Sequence, residues 1–160
     1  MNKFITLILI LFLNYSLEAG EVIFKETTDE FTDEKEMFIG LSGDEHTSII
    51  EEMIGIYCNP KLAMGIKKGI MFSMENRLKV TLRFDSNEAY KETFYYSNNL
   101  VITDEKRIIS RFLENLSGSK RLLVKIEDIE GVMRFTNLEN TKESVENFYA
   151  SAPSIPQCNL

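Results

Sequence analysis

Apolar residues run almost unbroken from Phe4 to Leu13, with Thr6 the one polar position, and beyond residue 20 they fall into short alternating runs. The first run is about ten residues long, within the roughly 7–15 expected of a secretory leader. It is shorter than the roughly 20 apolar residues that cross a bilayer as a helix. Lys3 precedes the run, Asn14 and Glu18 break its apolar character on the far side, and Ala19 is small enough to stand before a peptidase cut. The pattern predicts a signal peptide over residues 1–19, cut after Ala19 or Gly20, and a single α+β domain over 20–160. An uncleaved N-terminal anchor is the alternative. No Cys follows the leader, so a lipid cannot be attached there.

Later runs read mainly as strands. Val22 to Phe24 is a short one, followed by an acidic loop at Asp29 to Glu34. Met37 to Ser42 ends at Gly43-Asp44, and Met53 to Cys58 ends at Asn59-Pro60, where a proline that cannot donate to a ladder belongs. Gly69 to Met74 and Leu78 to Phe84 flank Glu75-Asn76-Arg77. In the second of these, Leu78, Val80, Leu82 and Phe84 alternate with Lys79, Thr81, Arg83 and Asp85. That period of two predicts one buried and one wet face. Ala89 to Ser97 is a further strand, rich in the aromatic residues that suit a pleated surface.

The period then lengthens. Ile108, Ile109, Phe112, Leu113 and Leu116 form the stripe of a helix that starts near Thr103 or Asp104 and stops at Gly118. Arg121 to Ile126 and Val132 to Leu138 are strands around a turn at Asp128 to Gly131. A last helix spans residues 141–151, with Asn140 and Glu143 placed for a capping box and Val145, Phe148, Tyr149 and Ala152 on its buried face. Strands that do not alternate with helices predict an α+β fold, a mainly antiparallel sheet or sandwich with two late amphipathic helices.

Composition narrows the function by exclusion. The formal charge is −7, which disfavours nucleic acid as a partner and adsorption to anionic lipid. Two cysteines, Cys58 and Cys158, in an exported chain predict a disulfide closing a loop of 100 residues. Two free thiols are the plainer alternative, and the absence of a C-x-x-C spacing disfavours a redox role further. A periplasmic or secreted address also removes ATP-dependent chemistry.

Candidate chemistry is sparse. Ser-His-Asp and Cys-His catalysis each require a histidine, and His46, the only one, lies in a polar loop between Glu45 and Thr47 and reads as an exposed structural residue instead. Asp29, Glu30, Asp33, Glu34 and Glu36 lack the order of a calcium loop and read as a solvated acidic segment. Glu127, Asp128 and Glu130 beside Gly131 read as a turn. Lys61, Lys67 and Lys68, with Gly65 and Gly69, are the one local basic patch and read as a charged loop between strands, with binding of an anionic ligand the alternative. Phe94, Tyr95 and Tyr96, followed by Ser97-Asn98-Asn99, form a candidate binding surface for sugar or peptide, or else one face of a core strand. No catalytic, metal or cofactor residues emerge.

The order of features resembles a known group. A strand ending in Cys58 is followed by Leu82-Arg83-Phe84-Asp85, Tyr96-Ser97-Asn98-Asn99, an apolar helix, Arg121 to Lys125, Phe135-Thr136-Asn137-Leu138 and a helix leading to Cys158. Over about residues 50–158 this is similar to the small periplasmic accessory proteins linked to bacterial type VI secretion, the TagO/VasI-like group. The ending also resembles exported proteins of the invasion-associated locus B type. Trp is absent, and no glycine follows Phe135, which departs from both. The resemblance implies a non-enzymatic accessory protein of the envelope, bound to an envelope or periplasmic protein, with no membrane span once the leader is removed. A small secreted cell-wall hydrolase or an enzyme inhibitor is the alternative, and a purely structural envelope protein is a third reading.

Overall fold

A computed structural model describes residues 20–28, 33–45, 52–58, 61–69, 71, 73, 75–155, 158 and 160. Among them lie nine strands: β1 (Val22–Thr28), β2 (Lys35–Ser42), β3 (Glu52–Cys58), β4 (Leu62–Lys68), β5 (Arg77–Phe84), β6 (Tyr90–Ser97), β7 (Leu100–Thr103), β8 (Arg121–Ile126) and β9 (Met133–Thr136). Helix α1 (Lys106–Leu116) precedes β8, and helix α2 (Thr141–Ser151) is followed by a 3-10 turn at Ala152–Ser154. The strands form one sheet in the order β1-β2-β3-β4-β7-β6-β5-β8-β9, with every neighbouring pair antiparallel. The α+β class and the late helices are as the pattern predicts.

Three runs of hairpins make up the sheet, β1 to β4, β5 to β7 and β8 to β9, joined where β4 pairs with β7 and where β5 pairs with β8. Tight turns close the hairpins with residues that tolerate the left-handed region: Asn98 and Asn99 between β6 and β7, Asp128 and Gly131 between β8 and β9. The inward face carries both helices. Ile39, Ile54, Met64, Val101, Phe94, Val80, Val124 and Phe135 reach it from successive strands, and Phe112, Leu113 and Phe148 meet them from the helices. The predicted α1 stripe of Ile108, Ile109, Phe112, Leu113 and Leu116 is buried as a unit.

A second cluster, Phe38, Met53, Tyr57, Ala63 and Leu100, lies on the opposite, outward face of β2, β3, β4 and β7. Gly40, Gly55 and Gly65 stand beside one another in register between its members. The strands expected at Met37–Ser42 and Met53–Cys58 form as β2 and β3, while β4, buried on both faces, escapes the pattern. The sequence pattern predicts a charged loop where β4 forms, because Leu62 to Ile66 has no polar alternate to reveal a strand. The predicted strand at 69–74 is not formed at its described positions, Gly69, Met71 and Ser73. Instead Asn99 holds this segment, its amide donating to the Gly69 carbonyl at 3.0 Å and its Oδ1 accepting from the Met71 N–H at 2.5 Å. β7 takes the residues just before Asp104, so α1 starts at Lys106.

The last strand comes back against the first. The Asp44 N–H donates to the Arg134 carbonyl at 2.7 Å, and the Asp44 carboxylate accepts from the N–H and the hydroxyl of Thr136, each at 2.9 Å. Glu52, at the start of β3, accepts from the Arg134 N–H at 3.3 Å. The expected capping box of α2 is absent: Asn140 adopts φ 58° and its side chain caps nothing, while its carbonyl accepts from the Ser144 N–H at 2.8 Å. Tyr149, expected on the buried face, is 38% exposed, whereas Thr141 and Ser144 are buried there.

Candidate functional site

The pleat sorts the side chains of β5, β6, β8 and β9 into two sets. Leu78, Val80, Leu82 and Phe84 point inward, so Arg77, Lys79, Thr81 and Arg83 point outward. Register extends this assignment sideways. Lys91 of β6 stands beside Thr81, which stands beside Lys125 of β8, and Arg83 stands beside Leu123, which stands beside Arg134 of β9. Arg121 completes the set next to Thr136.

Seven cations, Arg77, Lys79, Arg83, Lys91, Arg121, Lys125 and Arg134, thus share one exposed face, out of 18 Lys and Arg in the chain. These four strands carry a single acid, Glu92, and it points inward. None of the seven forms an ion pair with a described acid. Three of them make polar contacts with neutral groups: Lys79 donates to the Thr93 hydroxyl at 2.6 Å, Arg121 to the Asp85 carbonyl at 3.0 Å, and Arg134 to the Val132 carbonyl at 3.3 Å. The Arg77 guanidinium lies 5.4 Å from the centre of the Tyr95 ring.

Two acids, Glu92 and Glu52, point inward and are buried. Glu92 is 7% exposed and accepts two hydrogen bonds from Arg107, at 3.0 and 2.9 Å, and one from Arg111 at 3.3 Å. The Arg107 hydrogen bonds, with the charges of both arginines, hold its carboxyl below the ordinary range. Arg111 also stacks on Tyr90, 3.9 Å from the ring centre, and burial pushes the Tyr90 phenol up to about 12. Glu52 is fully buried, and burial raises its carboxyl despite Lys68 at 3.6 Å and the Arg134 N–H. Both acids tie elements together: Glu92 joins β6 to α1, and Glu52 joins β3 to β4 and β9.

The residues singled out in the sequence are dispersed. Cys58 and Cys158 form a disulfide with their Cα atoms 5.9 Å apart, fastening the chain end to β3. Phe94 is wholly buried in the core and leaves the candidate binding surface. Tyr96 is half-buried and its hydroxyl donates to the Met71 carbonyl. Tyr95 alone of the three is on the outside, 44% exposed. The Lys61, Lys67 and Lys68 patch is split by the pleat of β4, with Lys68 turned inward to Glu52 and Lys67 outward. Asp33 and Glu34 are exposed, and Glu36 lies within β2. His46, Asp29 and Glu30 lie outside the described residues. Glu127, Asp128 and Glu130 lie in the β8–β9 connection, where the pattern places a turn.

Among the described residues no group of His, Cys, Asp and Glu is placed to hold a metal ion, and no helix is long and apolar enough to cross a membrane. No protein-family model, curated protein or solved structure matches the chain. The basic face escapes a reading of the sequence because its members come from four separated segments. The one signal for it is the alternation Arg77, Lys79, Thr81, Arg83, visible as a wet strand face.

Proposed function

We propose that this protein is an exported, non-enzymatic binding or accessory protein of the bacterial envelope, working through the outward face of β5, β6, β8 and β9. The observation that carries this reading is the set of seven exposed cations without acidic partners among the described residues. Charges kept unpaired on a structured surface are available to a partner. The Cys58–Cys158 disulfide supports an oxidising compartment, in agreement with the leader-like start of the chain. The non-enzymatic reading is supported by the work that these acids do, since buried Glu52 and Glu92 and exposed Asp44 are each engaged in holding elements together. The link to type VI secretion rests on the resemblance of residues 50–158 alone.

Cell fractionation with sedimentation of washed envelopes tests this reading. The protein should lack residues 1–19, carry the Cys58–Cys158 bridge and co-sediment with envelopes. The pair Arg83→Glu and Lys125→Glu should release it while leaving its unfolding temperature within a few degrees of the parent. An intact Met1 in the cytoplasmic fraction, or envelope binding indifferent to both charge reversals, would overturn it.

A further inference from the structure

The net charge of −7 conceals a segregation of charge. The four strands in the order β6-β5-β8-β9 span about 14 Å sideways, and Arg77 to Arg83 along β5 spans about 20 Å, from the usual sheet spacings. Three acids stand at the rim of this face, Asp44 on the Thr136 hydroxyl, Asp85 beside Arg121 and Glu127 beside Lys79, and others lie on different surfaces, including exposed Glu114 of α1 and Glu143 and Glu146 of α2. Screening at physiological salt acts over about 8 Å, so what approaches this face responds to its cations more than to the charge of the whole chain. The expectation that acidity disfavours anionic lipid follows from the net charge of the chain, whereas this face carries seven exposed cations.

We propose that the outward face of β6, β5, β8 and β9 is a docking surface for an anionic lipid membrane. The proposal rests on the preceding reading of this face as the contact surface in the envelope. Charge complementarity and shape select the occupant. A protein interface places apolar anchors at its centre and charges at its rim. Here the order is reversed: Lys79, Arg83 and Lys125 occupy the middle, and Leu123 is the one aliphatic residue among them. A single-stranded polynucleotide is held in a groove with several stacking aromatics. This face has one exposed aromatic, Tyr95, at its border with β7. A two-dimensional spread of Lys and Arg on a sheet face matches a layer of phosphate headgroups instead. Tyr95, with Ile102 on one side and Arg77 on the other in register, is an amphipathic ring suited to headgroup depth.

Vesicle co-sedimentation of the full chain, as purified from its own compartment, tests the proposal. Vesicles of phosphatidylcholine with phosphatidylglycerol should bind it, pure phosphatidylcholine should not, and added salt should release it. The pair Lys79→Gln and Lys125→Gln should weaken binding by about tenfold or more, and the helix pair Lys106→Gln and Lys142→Gln, equal in charge removed, by less than about twofold. Matching near-ultraviolet spectra establish that both variants are folded. Equal losses in the two variants, or no preference for the anionic vesicles, would overturn the proposal. Tighter binding to a soluble polyanion such as heparin than to vesicles would overturn the lipid assignment while leaving the face as the contact surface. Loss of envelope binding altogether would remove that underlying reading.

Discussion

The Glu52 carboxylate accepts the backbone N–H of Arg134 at 3.3 Å across 82 positions of sequence. It thereby ties β3 to β9, strands at separate places in the sheet order, with no ladder between them. Asp44, just after β2, accepts the Thr136 N–H of the same last strand across 92 positions. β9 takes its place in the sheet from its ladder with β8, and these two acids in addition fasten it to the first hairpins.

The two buried glutamates should give stability opposite dependences on pH. Glu52 is raised above its ordinary value of 4.5 by burial, so the folded protein binds its proton more tightly than the unfolded chain. Its contribution therefore falls as pH rises from about that value through the raised one. Glu92 is lowered by Arg107, so its contribution is complete above its ordinary value of 4.5 and is lost as pH falls through the lowered one. Urea midpoints across this range should show Glu52→Gln flattening a decline and Glu92→Gln flattening a rise. Glu92→Gln should also cost about 1–2 kcal/mol at neutral pH, a charged hydrogen bond discounted for the exposure of Arg107. Slopes of the same sign for the two variants would contradict these assignments.

Reducing the disulfide should destabilise without redirecting the fold. The bridge closes a loop with a sequence separation of 100, for which chain entropy supplies at most about 4–5 kcal/mol. Cys58→Ser with Cys158→Ser should lower the urea midpoint accordingly while the far-ultraviolet spectrum keeps its strand signature. An unchanged midpoint would mean that the tail does not restrain the unfolded chain.

Gly43 and Gly118 should respond to alanine for different reasons. A Cβ on Gly43 would stand 2.5 Å from the Glu52 Cβ, so Gly43→Ala must displace the start of β3, at about 1–3 kcal/mol. Gly118 has open space around that position but φ +80°, so Gly118→Ala carries the left-handed penalty alone, about 1–2 kcal/mol. Amide exchange separates them: Gly43→Ala should speed exchange of the Arg134 and Thr136 N–H groups, and Gly118→Ala should leave both protected.

Adjacent aromatic residues should differ sharply. Phe94→Ala empties a wholly buried site and is expected to cost about 3–5 kcal/mol. Tyr95→Ala, on the exposed side of the same strand, loses the Arg77 contact and a partly solvated ring and should cost under about 1 kcal/mol. Thermal unfolding of the two variants checks the orientation of β6, and equal losses would contradict it.

Much of this architecture is legible from spacing. The period of two in Leu78 to Phe84 marks both the strand and its buried side, and the stripe from Ile108 to Leu116 marks α1 and its packing face. Those patterns work because one face meets water and the other does not. Where both faces are buried, as in β4, the contrast disappears, and Lys67 and Lys68 suggest a loop instead. β7 is only four residues long and has too few positions to define a period.

Local order thus settles, from sequence alone, which side chains of a strand share a face. It also supplies the two cysteines and the leader-like start of the chain. Only the tertiary structure decided which strands lie side by side. β5 has β6 and β8 as neighbours, although α1 and two other segments separate β5 from β8 in sequence. Lateral order depends on how hairpins and helices close around a common core, and no periodicity along one strand carries that information. For this reason Lys91, Lys125 and Arg134 stand in the sequence as unrelated charges and become one basic face only when the sheet assembles.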